Sequence, residues 1–196
     1  MNSASISQRM TVLLERIKDS KFLNNEGLGN EVPFYIFDFD PADELLVRRG
    51  IAGLRKSLAD QGLVALEVNL FEIVLSLLEE RKVLERALER ERVQGSAALF
   101  AAVKDMVSAE KIRRLIAARL QTKFDVVFIT GVGAAFPLVR SHAVLNNLHE
   151  LFDAVPVVTF FPGEYDGMEL RLFGLLKDDN YYRAFSIAPR SGRSAA

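Results

Sequence analysis

The segment VPVVTFFPGEYDGMELRLF, residues 155–173, is apolar in its first half and polar in its second. The apolar half is rich in β-branched and aromatic residues, a composition typical of a parallel strand buried on both faces. It stops at Pro162-Gly163, and Glu164 and Tyr165 follow. Open α/β sheets place their binding surfaces beyond the carboxyl ends of such strands. The segment therefore predicts an α/β fold in which a buried strand over 155–161 leads into a binding loop.

Strand patterns recur along the chain and alternate with helical patterns. The predicted strands cover 33–37, 63–68, 124–130, 155–161 and 181–187. The predicted helices begin with one that Ser5 caps and continue over 42–61, 70–78, 79–94, 97–107, 108–120 and 137–152. This alternation predicts a single α/β domain over 1–190, with a mostly parallel sheet of about five strands and helices on both faces. A helical insertion is predicted over about 70–121 and a flexible tail over 191–196.

Helical spacing also predicts which side chains of the first two helices enter the core. In the first helix they are Ile6, Met10, Leu13, Leu14 and Ile17. In the second helix they are Leu45, Leu46, Ile51, Leu54 and Leu58.

Composition and charge exclude several classes of function. The formal net charge of the 196-residue chain is −1, so no overall basic surface favours nucleic acid. The chain has no cysteine and two histidines, which excludes thiolate catalysis, zinc sites built on sulfur and histidine-rich metal sites. The first ten residues lack the apolar core of a signal peptide, and no apolar run reaches the roughly 18 residues of a membrane span. We therefore expect a cytoplasmic protein without membrane association.

Two aspartates follow the first predicted strand, in FYIFDFD. A hydrophobic strand that ends in Asp38-Phe39-Asp40 resembles the first motif of the haloacid-dehalogenase phosphatases, in which one carboxylate attacks phosphorus and its neighbour is the acid/base. That chemistry needs further acids after a later strand, whereas Lys177-Asp178-Asp179 precedes one. We favour a structural interpretation, in which Asp38 or Asp40 caps the next helix beside Pro41.

Glycines follow the third predicted strand, in Gly131-Val132-Gly133. A phosphate-binding loop would occupy this position, but Phe136-Pro137 stands where the Walker and dinucleotide motifs need other residues. We favour a tight strand-to-helix turn that the glycines permit. His142 and His149 follow on a predicted helix, where we expect surface residues without a catalytic role.

Polar side chains cluster after the fourth predicted strand: Glu164, Tyr165, Asp166, Glu169, Arg171 and Lys177. Paired carboxylates can perform acid/base chemistry when their environments separate their pKa values. Tyrosine, arginine and acidic groups at a sheet edge are also typical of a protein-binding hot spot. We favour recognition over catalysis for this cluster.

Basic side chains concentrate near the end of the predicted insertion and could form a stripe that contacts DNA: Lys111, Arg113, Arg114, Arg119 and Lys123. Asp105, Glu110 and Asp125 dilute this stripe. The sequence therefore argues against direct DNA binding.

Five segments together carry a family resemblance: FYIFDFDPADE, VVFITGVGAAFPLVR, FFPGEYDG, ELRLF and YYRAF. Over about Pro33 to Ile187 the chain resembles the BrxB family, small components of BREX (bacteriophage exclusion) phage-defence systems. The resemblance implies an operon that also encodes a DNA methyltransferase, a large ATPase and PglZ, a protein related to alkaline phosphatases. It implies an accessory role, through docking on PglZ or on a larger BREX assembly. It supplies no active site.

We therefore predict a non-enzymatic adaptor, without cofactor or metal, that binds PglZ and supports phage restriction and host DNA methylation. The candidate partner-binding residues are Asp38, Asp40, Gly133, Phe136, Arg140, Glu164, Tyr165 and Arg171. The alternative is a degenerate nucleotide-binding or phosphoryl-handling enzyme with a site formed by Asp38, Asp40, Gly131, Gly133 and Glu164.

Overall fold

A computed structural model of the chain describes residues 5–26, 33–120, 123–140, 145, 147–148, 151–152, 154–177 and 184–190. Within these ranges the strands are Phe34–Phe39 (β1), Ala65–Asn69 (β2), Val126–Thr130 (β3), Val157–Tyr165 (β4), Leu170–Leu172 (β5), Leu176–Lys177 (β6) and Phe185–Ser186 (β7). The α-helices are Ile6–Lys18 (α1), Ser20–Leu23 (α2), Glu44–Ala59 (α3), Leu70–Glu80 (α4), Leu84–Gln94 (α5), Ser96–Val103 (α6), Ala109–Arg119 (α7) and Val132–Ala135 (α8). Pro41–Asp43 and Lys104–Met106 form 3-10 turns.

The strands form one sheet in the order β2-β3-β4-β1-β7, with β5 and β6 joined to β4. β4 lies at the centre, where it pairs in parallel with β1 on one side and β3 on the other. β5 pairs antiparallel with β4, and β6 with β5. The predicted α/β fold with a mostly parallel sheet is confirmed, and the strand count exceeds five because of this added hairpin.

The prediction that β4 ends before Pro162-Gly163 is wrong, because the strand continues to Tyr165. Pro162 is opposite Phe39, the last residue of the ladder with β1, so its missing N–H removes little pairing there. A Cβ at Gly163 would collide with the carbonyl oxygen of Arg171, so glycine permits β5 to approach. The predicted binding loop is therefore the start of a β-hairpin.

Helices α1 and α3 supply a large part of the hydrophobic core. Ser5 caps α1, as predicted, and forms a capping box with Gln8. Val47, the residue that the prediction missed, is buried, whereas Leu45 and Leu46 are 68% and 53% exposed, so their predicted inward position is wrong. The buried stripe of α3 repeats at helical spacing, and positions 45 and 46 lie off it. This stripe packs with α1 against β1, β3 and β4, and consists of Val47, Ile51, Leu54 and Leu58.

The predicted insertion is helical, with shorter elements than the sequence suggested. The predicted helix 79–94 is interrupted at residues 81–83, where Lys82 has a φ of +56°. The predicted helix 137–152 does not start at its proline, because residues 136–138 form a turn around a cis Phe136-Pro137 bond. Residues 145 and 147–148 are helical, whereas His142 and His149 lie outside the described residues. Of the predicted strand 181–187, only Phe185–Ser186 is a described strand.

The chain separates into two compact units. We call the first the sheet unit; it consists of Met1–Glu67, Thr122–Thr130 and Phe152–Ala196. We call the second the helical unit; it consists of Val68–Gln121 and Gly131–Leu151. The single domain over 1–190 stays a prediction. Among the helices in the described ranges, none has both the length and the apolar character to cross a bilayer.

Candidate functional site

Asp38 is a buried carboxylate near the end of β1, and two arginines neutralise it. Its Oδ1 lies 3.2 Å from Nη2 of Arg9 in α1, and both side chains are almost fully buried. Its Oδ2 lies 3.4 Å from Nε of Arg190, whose side chain is 30% exposed. We call these three residues the ionic cluster. Because both carboxylate oxygens have a cationic partner, the cluster gives Asp38 a structural role and leaves it poorly placed as a nucleophile.

The arginines of the ionic cluster also hold distant segments together. Arg9 Nε donates to the carbonyl oxygen of Ala188 at 2.7 Å, and its guanidinium stacks on the Phe37 ring at 4.2 Å. Burial lowers the pKa of the Arg9 guanidinium from its ordinary value, and the charge of Asp38 opposes that shift. Arg190 Nη2 donates to the carbonyl oxygen of Gly163 at 2.8 Å. The cluster thus joins α1, β1, β4 and the segment after β7.

Asp40 caps the turn that leads into α3. Its Oδ1 accepts from the backbone N–H of Ala42 at 2.9 Å, and Pro41 occupies the first turn. This confirms the capping interpretation for Asp40. Lys177 forms an ion pair with Glu169 at 3.2 Å, and Asp178 and Asp179 lie outside the described residues. Within the described ranges, no three acidic or histidine side chains converge closely enough to hold a metal ion.

The glycine segment after β3 forms a tight turn. Gly131 has a φ of +69°, and a Cβ there would collide with Oδ1 of Asn69. That oxygen caps α4 by accepting from the N–H groups of Phe71 and Glu72, at 3.1 and 3.3 Å. Gly133 lies within the four-residue helix α8. The favoured interpretation, a tight strand-to-helix turn that glycine permits, is confirmed at Gly131.

Residue Thr130, at the end of β3, donates its hydroxyl to another side chain. Its Oγ1 donates to Oε1 of Glu67 at 2.9 Å, and Glu67 Oε2 lies 2.8 Å from Nη1 of Arg55. Sequence reasoning did not identify Glu67, because pairing across neighbouring strands is set by register. The hydroxyl therefore has a structural partner within the sheet unit.

The polar residues after residue 162 divide into buried and accessible ones. Tyr165 is 3% exposed, and its hydroxyl donates to the carbonyl oxygen of Ala184 at 2.7 Å. Glu164 lies opposite Arg171 in the β4–β5 hairpin, with Glu164 half-buried and Arg171 exposed. Asp166 stabilises the hairpin turn by accepting from two backbone N–H groups. Tyr165 is therefore closed to a partner, whereas Glu164 and the exposed Arg171 can be reached, as can Asp166 and Lys177.

Phe136 lies on an open apolar cleft of about 240 Å³ within the helical unit. We call it the helical cleft. Helices α4, α5 and α6 and the turn after α8 form its walls. Its large apolar side chains include Phe71, Leu75, Leu78, Leu88, Phe100 and Phe136. Phe71, Leu88 and Phe136 are each more than a third exposed, so the cleft presents apolar surface to solvent.

Arg140 lies at a second hollow of about 240 Å³ in the same unit. This hollow shares Phe100, Pro137 and Leu138 with the helical cleft, so the two adjoin each other. Its lining adds Lys104, whose side chain is exposed like that of Arg140. We call this hollow the basic end of the cleft.

The structure distributes the sequence-predicted site residues over both units. Asp38, Asp40, Glu164, Tyr165 and Arg171 belong to the sheet unit, whereas Gly131, Gly133, Phe136 and Arg140 belong to the helical unit. Their assignment to partner binding stays a prediction.

Arg9 and the helical cleft were missed by sequence reasoning. Arg9 follows Ile6 by three positions and precedes Leu13 by four, so it is a cation on the apolar face of a helix. That position is the signal that could have revealed it. The cleft gives no such signal, because its side chains come from separate helices.

The basic stripe is also divided. Lys111 Nζ donates to the carbonyl oxygen of Asp105 at 2.9 Å, which occupies one cation of the stripe. Lys123 belongs to the sheet unit, whereas Lys111 and Arg114 belong to the helical unit. Neither unit by itself contains the whole stripe.

Comparison with known proteins identifies the family. A family model described as "BREX protein BrxB" matches residues 66–187. A protein of the same description from Bacillus cereus (strain H3081.97) is 45% identical over 187 residues, 93% of this chain and 97% of that protein. Another, from Escherichia coli O9:H4 (strain HS), is 34% identical over 191 residues, 97% of this chain and 95% of that protein. No solved structure matches the chain significantly. The chain belongs to the BrxB family.

Proposed function

We propose that the chain is a component of a BREX phage-defence system and acts there as a non-enzymatic adaptor. It binds a partner protein, PglZ in the first instance, and so supports phage restriction and host DNA methylation. Membership of the BrxB family supports the BREX assignment. Both relatives are described as "BREX protein BrxB", and the match to this chain covers nearly their full length.

The observation that carries the adaptor role is the helical cleft. Soluble proteins seldom leave adjoining large apolar side chains open to water unless a partner or ligand covers them. Leu88, Phe71 and Phe136 border the cleft with 47%, 37% and 38% of their surfaces exposed. Water would be released from this surface on association, which favours binding.

The state of the strand-end groups supports a role without catalysis. A nucleophilic carboxylate must reach its substrate, whereas Asp38 is buried between Arg9 and Arg190. Asp40 caps the turn before α3, and the Asn69 side chain packs closely against Gly131. Three residues of the alternative enzyme site, Asp38, Asp40 and Gly131, therefore have structural contacts.

The adaptor role is tested by size-exclusion chromatography with light scattering, on the chain alone and mixed with PglZ from the same operon. We expect a stoichiometric complex that co-elutes at micromolar concentration. Separate peaks from two folded proteins would contradict PglZ binding. A thermal-shift screen with nucleotides and magnesium or manganese tests the non-enzymatic part, because a ligand of the native state raises the melting temperature. A saturable increase would contradict it.

A further inference from the structure

The helical cleft has the form of a groove between helices. Buried side chains of α4 and α5, including Val74, Leu78 and Ala87, form its floor. Exposed Phe71 and Leu88 stand at its rim. Apolar grooves of this kind bind amphipathic helices, whose anchors recur at i, i+3 or i+4, and i+7. The shape and the apolar lining therefore indicate a helical ligand.

The charges beside the groove specify that ligand further. Lys104 and Arg140 lie at the basic end, and neither makes an ion pair with a residue in the described part of the chain. Glu91 lines the helical cleft itself, and its Oε1 accepts from the neutral hydroxyl of Ser96 at 2.8 Å, so acidic groups of a ligand are favoured at the basic end and not beside Glu91. Charge complementarity across an interface fixes orientation and excludes wrong partners. Two exposed cations beside an apolar groove therefore select an acidic group next to an apolar stripe.

We infer that the helical cleft binds an amphipathic helix of the partner protein, one that carries acidic residues directly beyond its apolar stripe. The apolar anchors enter between α4, α5 and α6, and the acidic residues reach Lys104 and Arg140. The identification of the ligand as a segment of the partner protein rests on the proposed adaptor function. The binding of such a helix by the groove can be tested independently with peptides.

The probes are two synthetic helices of about 18 residues, long enough for the anchors and for partial helicity in water. Both carry leucines at i, i+3 and i+7, and they differ only beyond that stripe, where one has two glutamates and the other two lysines. Fluorescence anisotropy with the full chain measures their affinities. We expect the glutamate peptide to bind about tenfold more tightly, because two favourable charge pairs replace two repulsive ones. The preference should shrink as salt rises from about 0.05 to about 0.5 M.

Matched variants assign the binding to the groove. Leu88→Glu places a charge on the rim and should weaken both peptides by at least about tenfold, since it opposes apolar burial. Its control is Val93→Glu, because Val93 is also exposed on α5 but does not line the cleft. Lys104→Glu should reduce the preference for the glutamate peptide by about threefold or more. Arg90→Glu should leave it unchanged, because Arg90 is exposed on α5 and lines neither hollow. Circular dichroism confirms that each variant is folded.

The outcomes separate this inference from the proposed function. Peptide binding without co-elution of PglZ would support the groove and remove PglZ as the partner. Co-elution of PglZ that Leu88→Glu and Lys104→Glu leave unaltered would support the adaptor and overturn the groove. Failure of the folded chain to bind the glutamate peptide, or equal affinity for both peptides, would also overturn it. Self-association of the chain that Leu88→Glu abolishes would identify a second copy as the occupant instead.

Discussion

Replacement of Asp38 by asparagine tests whether the ionic cluster stabilises the fold. The substitution keeps the shape of the side chain and removes its charge, so Arg9 stays buried without a carboxylate. Removing one partner of a buried ion pair costs about 3–5 kcal/mol. The second pair, with the 30% exposed Arg190, contributes less, on the order of 1 kcal/mol or below. Since an amide oxygen can still accept from a guanidinium, we expect a loss of about 3 kcal/mol, at the low end of the range.

Urea denaturation followed by circular dichroism measures this loss. With a slope of about 2–3 kcal/mol per molar urea, the midpoint should fall by about 1–1.5 M. Such a loss is large against a total stability of about 5–15 kcal/mol. It should persist in about 1 M salt, because a buried pair is screened far less than an exposed one.

Asp40→Asn is the matched control. It makes the same chemical change two positions away, at an exposed cap where asparagine serves as well as aspartate. Its midpoint should stay within about 0.3 M of the wild type. If Asp38→Asn behaves like Asp40→Asn, Arg9 does not depend on that carboxylate and the structural role of the cluster is wrong. The double variant Arg9→Met/Asp38→Leu should recover part of the loss, because it leaves no unpaired buried charge.

Three other substitutions and one control, each measured by urea denaturation, test individual contacts. Gly131→Ala should lower the free energy of unfolding by about 2–3 kcal/mol, because alanine is strained in a left-handed backbone and would displace the Asn69 cap. Its control is Gly53→Ala, in open space on α3, which should instead stabilise the fold by about 0.5–1 kcal/mol. Equal effects of the two substitutions would contradict the clash at Gly131. Thr159→Val should be neutral or stabilising by about 1 kcal/mol, because the buried Thr159 hydroxyl has no hydrogen-bond partner among the described residues. A clear loss of stability would show that the hydroxyl does have a partner. Tyr165→Phe should lower the free energy of unfolding by about 1 kcal/mol, because it removes the hydrogen bond to the backbone near β7. If the stability stays the same, that hydrogen bond does not stabilise the fold.

Local patterns in the sequence predicted the parallel core of the fold. The apolar run over 155–161 predicted a buried strand, and the capping chemistry of Ser5 and Asp40 marked two helical starts. These signals work because each involves residues that are neighbours along the chain. The inward position of Leu45 and Leu46 was wrong, since hydrophobicity alone did not show which stripe faces the sheet.

The remaining features depend on contacts that sequence distance conceals. The β4–β5 hairpin uses a three-residue strand and a proline, both of which argue against a strand when read locally. The ionic cluster joins Arg9, Asp38 and Arg190, and the helical cleft is assembled from several helices. Sequence reasoning thus identified Phe136 and Arg140 individually, without the adjoining hollows that they line.

The position of β1 within the sheet has a consequence for biosynthesis. β1 is made early, but its neighbours β4 and β7 are made much later, and 179 positions separate Arg9 from its acceptor Ala188. At about 5–20 residues per second, a ribosome needs about 10–35 s to cover that distance. During the earlier part of this time, before β4 is synthesised, the aromatic strand FYIFDF has neither of its partner strands. The nascent chain therefore contains an apolar strand with unpaired edges, and completion of the sheet must follow synthesis of its last strand.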